Sequence, residues 1–152
     1  MKRIAIVVIA AAMLVPALVA QRYGRHPRYL HARTDLRTAQ YLLQERYDPE
    51  TERHMRFADR EIGAAIVEVD RAAVLDRRDL NDHPRVDTSL DRPGRFRKIM
   101  ALLQSAREDI DREEDNPDAR HWRNAAFRHI DAAMESVRRA AEDRARERRR
   151  EY

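Results

Sequence analysis

His54 and His121 are the residues whose type and setting come nearest to chemistry. Each follows an Asx-Pro pair, Asp48-Pro49 or Asn116-Pro117, and so falls in the second turn of a predicted helix. Glu113, Glu114 and Asp115 stand just before the second pair. Imidazole nitrogens and carboxylate oxygens together form ligand sets for Zn²⁺, Cu²⁺ or Ni²⁺. If both helix starts lie at one end of the molecule, His54, His121, Glu113, Glu114 and Asp115 converge on a metal site. The competing reading is plainer: residues of these types at helix starts are ordinarily solvated. The Glu-x-x-His pattern of di-iron bundles is absent from the predicted helices.

Other chemistries find less support. The stretch EDIDREEDNPD, residues 108–118, carries seven acids, but it lacks the glycine and the regular ligand spacing of a calcium loop. Its acids suit the positive N-terminus of the helix that follows. Met100 or Met134 with a histidine could ligate haem, but methionines at such positions usually fill a core. Cysteine is absent, which excludes disulfides, thiolate metal sites, haem attachment through CxxCH and a lipid-bearing cysteine. There is no glycine-rich phosphate loop and no Gly-x-Ser-x-Gly elbow. Ser89, Ser105 and Ser136 have no base arranged around them in the sequence. The residues point to a non-enzymatic protein with no cofactor beyond that candidate metal ion.

The elements that would position these residues are written twice. Residues 62–73 read IGAAIVEVDRAA and residues 130–141 read IDAAMESVRRAA, with seven of twelve letters in common. At the same offset of 68, Asp48-Pro49-Glu50 falls on Asn116-Pro117-Asp118: an Asx N-cap, proline at the first helical position and an acid in the first turn. Ala58, Ile62, Ala65, Val69 and Ala72 step by four and three, and so do Ala126, Ile130, Ala133, Val137 and Ala140. This is the spacing of a helical seam with a coiled-coil-like core. Two further seams run through Tyr29, Ala32, Leu36, Ala39 and Leu43, and through Phe96, Ile99, Leu103, Ala106 and Ile110, at an offset of 67.

The expected fold is therefore all-α: a four-helix bundle made of two tandem helical hairpins, an internal repeat of about 68 residues. Helices are expected over about 27–46, 49–76, 92–114 and 117–148, so that hairpin 1 spans 27–76 and hairpin 2 spans 92–148. The connection 77–91 is long, polar and rich in Asp, and can either stay at one end of the bundle or cross its length.

Export is expected from the N-terminus. Residues 1–20 carry Lys2 and Arg3, then an uncharged run from Ile4 to Ala20, the pattern of a signal peptide or of an N-terminal anchor. Leu18 departs from the small-residue rule for cleavage, and a run this short is at the lower limit of a membrane span, so both readings stay open. The rest, residues 21–152, is one bundle domain placed in the periplasm or cell envelope, touching membrane only through an uncleaved N-terminus. The formal charge is +4 for the whole chain, and without Lys2 and Arg3 it is +2. Charged residues make up 38 %, so the surface should be laced with helical ion pairs. The tail from Arg138 interleaves arginines with acids in that way, and no nucleic-acid partner is expected.

HPRYLHARTDLRTAQYLL, DLNDHPRVDTSLDRPGR and REEDNP resemble stretches of a group of small exported helical proteins of bacteria that carry no known activity. The resemblance spans most of the chain after the leader and implies fold and export alone. Leu36-Arg37-Thr38-Ala39-Gln40 is faintly similar to the Leu-Thr-x-x-Gln motif of periplasmic chaperones of the Spy and CpxP type. Small periplasmic metal-binding bundles are much richer in histidine. The function expected is that of an exported, envelope-associated interaction protein with a protein partner or self-association. The alternatives are a metal-binding bundle and a chaperone-like binder of unfolded clients.

Overall fold

The computed structural model describes residues 28–44, 48–81, 83–86, 94–113 and 117–150, and among these no strand occurs. The leader, His26, Glu114, Asp115, Asn116 and Ser89 lie outside the described residues. Four helices form the fold: α1 (Arg28–Leu43), α2 (Pro49–Leu75), α3 (Arg95–Asp111) and α4 (Arg120–Arg150). The protein is an all-α four-helix bundle. None of these helices is long and apolar enough to cross a membrane.

Local chemistry starts and stops the helices. The Asp48 side chain accepts the backbone N–H groups of Glu50 and Thr51, at 3.2 and 2.9 Å, and Pro49 follows at the first helical position. At the other end of α2, the Arg78 N–H reaches Ala73 O and the Arg77 N–H reaches Val74 O, a Schellman closure. Its left-handed position is held by Arg77, at φ 56°, where glycine is usual. Gly94, at φ 76°, precedes α3. Helix α4 begins at Arg120 rather than at 117, because residues 117–119 form a turn ahead of it. The other boundaries fall within three residues of expectation.

All four seams are buried. Ile62 and Ile130 are 0 % exposed, and so are Leu36, Ile99, Leu103 and Ile110. Phe96 alone among the seam residues is only partly covered, packing at the edge of the core. The most extensive packing joins α2 to α4, followed by α1 to α3, so the core is shared between the hairpins more than built within them. Alanine at 58, 65, 72, 126, 133 and 140 flanks the larger Ile and Val and lets α2 and α4 approach closely.

Side-chain contacts give the directions. Ser136 donates to His54 O, His129 meets Glu61, and Arg71 stacks on Trp122, so α2 and α4 are antiparallel. Arg28 pairs with Asp109 and Asp35 with Ser105, so α1 and α3 are antiparallel as well. The start of α3 thus lies at the opposite end of the bundle from the finish of α2. The first part of the connection runs along α1: Arg33 Nη1 donates to Leu80 O, and Thr34 Oγ1 lies 3.0 Å from Pro84 O. Leu80 packs against the core there. Arg33, nearly buried, is held by Asp70 of α2 at 2.5 Å.

Candidate functional site

The antiparallel pairing of α2 with α4 decides the fate of the histidines. His54 lies near the start of α2, opposite the later turns of α4. Its Nε2 is 3.4 Å from Asp143 Oδ2, and its carbonyl accepts from the Ser136 hydroxyl at 2.9 Å. His121 lies in the first turn of α4, its ring edge-on to Trp122 at 5.0 Å. Ser136 is fifteen residues beyond His121 along α4, roughly 22 Å of helix. Two imidazoles on one metal need their nitrogens within roughly 4 Å of each other. The expectation that His54 and His121 share one end of the bundle is corrected: they sit at opposite ends. It assumed that two hairpins written alike point alike, whereas they pack head to tail.

Glu113 is not with His54 either. It closes the end of the bundle where α1 begins. Its carboxylate faces the backbone N–H groups of Arg28 and Tyr29, and Arg78 Nη2 is 3.7 Å away. These N–H groups are the first of α1 and have no partner within the helix, so Glu113 serves as a cap supplied from another element. Burial raises its pKa above the ordinary carboxylate range, against the pull of Arg78 and of those N–H groups. Glu114 and Asp115 lie outside the described residues. Among the described residues no group of three or more His, Asp or Glu side chains is placed to hold a metal ion.

What the helices do present is a face. On the outside of α2, Phe57, Arg60, Ala64, Val67, Arg71 and Val74 step by three and four, four apolar groups with two arginines set among them. Among the described residues five large apolar side chains are exposed, and four of them, Phe57, Val67, Val74 and Leu75, belong to this helix. Val67 is 47 % exposed and Val74 58 %, well beyond the edge of the core. Where this face meets α4, the two helices leave a furrow of about 450 Å³ between Phe57 and Ala132. Arg53, Arg60 and Arg139 stand around it, with His54 at its inner wall. Arg60 lies over the Phe57 ring at 5.6 Å, and Arg139 pairs with Glu135 at 2.9 Å.

This second stripe on α2 is present in the sequence at the same 3–4 spacing as the core seam, but the arginines within it hide it from an apolar pattern. The furrow offers an apolar strip and guanidinium groups able to pair with carboxylates; its one hydroxyl, on Ser136, donates to the His54 carbonyl rather than to the imidazole. The arrangement has to speak for itself: no family model, no curated protein and no solved structure matches the chain.

Proposed function

We propose that this chain is an exported, non-enzymatic interaction protein of the cell envelope that binds a protein partner through the outer face of α2. The observation that carries the reading is the concentration of exposed Phe57, Val67, Val74 and Leu75 on one helix. Soluble monomers seldom leave apolar side chains gathered on one element unless something covers them. The charged n-region and the uncharged run of residues 4–20 support export. We also propose that the fold arose by duplication of one hairpin, supported by the shared letters at offset 68 and by the meeting of Glu61 with His129, which are 68 residues apart. A chaperone-like binder of unfolded clients would use the same face. The arginines around it favour a partner of defined charge instead.

The test places a photo-crosslinking amino acid at Val67, and separately at Lys98 on α3, in the full chain expressed in a Gram-negative host. The reading expects one discrete protein adduct from position 67, none from position 98, and loss of that adduct in a Val74→Glu variant. Equal adducts from both positions, or none from position 67, would refute it.

A further inference from the structure

The furrow between α2 and α4 has a counterpart in the same molecule, and that counterpart is filled. At the offset of 68, position 54 corresponds to 122 and position 139 to 71. At the far end of the helix pair, Trp122 of α4 lies against α2 with the Arg71 guanidinium 4.8 Å from its ring. At the near end the corresponding place is taken by His54, a smaller ring drawn toward Asp143. The space beside Arg139 is left open, lined by Phe57 and Ala132. The chain thus shows at one end what suits such a place: a large aromatic ring under an arginine.

We infer that the Phe57–Ala132 furrow takes an aromatic side chain from an acidic segment of a partner protein, the ring seated under Arg139 as Trp122 is seated under Arg71. The charges choose the flanks of that segment. Arg53, Arg60 and Arg139 surround the furrow, and Glu135 is its single acid. Glu135 is already engaged by Arg138 and Arg139. Acidic residues either side of the ring would pair with Arg53 and Arg60, whereas lysine there would be repelled. The furrow is lined by both α2 and α4, which suits a peptide lying across the two helices with one anchoring ring. This rests on the reading of α2 as a partner-binding face and adds the anchor and its charge.

The test uses three synthetic peptides on the full chain: acetyl-EDEWLEDE-amide, the same peptide with Trp replaced by Ser, and acetyl-KKKWLKKK-amide. Binding is followed by amide chemical shifts. The acidic tryptophan peptide should bind saturably, with shifts confined to residues 53–60 and 132–139. The serine and lysine peptides should bind at least tenfold more weakly. Ala132→Trp should plug the furrow and abolish binding. Phe57→Glu, at an exposed position of the furrow wall, is the second variant that keeps loss of binding apart from loss of folding; it should have the same effect with the melting temperature unchanged. Equal binding of all three peptides, shifts spread over the bundle, or binding that survives Phe57→Glu would each overturn the proposal. So would association with unfolded clients regardless of charge, or with anionic vesicles in place of the peptide. If wild type gives the position-67 adduct but does not bind the acidic tryptophan peptide, the anchor is wrong and the partner-binding face stands. If wild type gives no adduct from position 67 either, the face itself is refuted.

Discussion

Asp35 and Asp109 approach one another across α1 and α3, with Ser105 and His31 beside them. Burial is the first cause that raises the Asp35 pKa, and the Asp109 charge adds to it; the Ser105 hydrogen bond and His31 oppose them. Asp109 is raised for the same leading reason. A carboxyl whose pKa is higher folded than unfolded binds its proton more tightly in the folded state. It therefore opposes folding at neutral pH, and that opposition fades as pH falls through the raised value toward its ordinary value of about 4. Asp35→Asn keeps an oxygen to accept from Ser105 and removes the buried charge. The variant should be at least as stable as wild type at pH 7 by urea denaturation, with the difference shrinking toward pH 4.5. A variant less stable at pH 7 would mean that the pairing of the carboxylate with His31 and Ser105 outweighs its burial. Asp48 behaves oppositely: hydrogen bonds from Thr51 hold its carboxyl below the usual range, so its contribution is present at neutral pH and is lost in acid.

At the scale of the helix, the two ends of α2 illustrate local chemistry in favour and against. Asp48 leaves fewer of the first N–H groups unsatisfied, and Asp48→Ala should cost about 1 kcal/mol in chemical denaturation. An unchanged midpoint would mean that α2 does not depend on this cap. The other end is held by Arg77 in the left-handed region, where an L side chain crowds the backbone at a cost of roughly 1 kcal/mol. Arg77→Gly relieves that crowding, though the freer unfolded chain takes part of the gain back. The net expectation is a stabilisation of a few tenths of a kcal/mol up to ~1 kcal/mol, read as a rise in melting temperature. A fall would show that the arginine makes contacts worth more than its strain. α1 has a different solution. Its first N–H groups face Glu113, which arrives from the end of α3, so this helix start depends on the fold rather than on its own sequence.

In the whole molecule, the hairpins hold each other. Ile62 and Ile130 are both fully buried near the place where α2 crosses α4. Ile62→Asp or Ile130→Asp would bury a carboxylate with no cation placed to receive it, and each should cost several kcal/mol, about 4 or more. Similar losses for the two, with one cooperative transition in each unfolding curve, are the expected result. A variant unfolding in two steps, with one hairpin surviving alone, would contradict a core shared between hairpins. The first part of the connection belongs to the same unit. Arg33 and Thr34 tie it along α1, and Leu80 covers the core on that side.

The sequence by itself determined which residues are helical and which face of each helix is buried. The period of three and four is a property of the helix alone, and every seam from Tyr29 to Ala140 is buried or, at Phe96, partly so. It also determined the Asp48 cap, because a cap needs only the next three residues. It did not determine what each seam would meet, or in which direction. A stripe of Ala, Ile and Val is covered equally well by a parallel or an antiparallel neighbour. Only the packed structure decided that α2 and α4 run head to tail, and that choice separated His54 from His121. It also turned Glu113 from a candidate ligand into a cap for α1. The furrow beside Phe57 belongs to the same class of facts. Both helices line it, and the ring that closes its counterpart is a tryptophan 68 residues from the histidine that leaves it open. Seams follow from local periodicity; sites on this bundle follow from which surfaces the antiparallel crossing brings side by side.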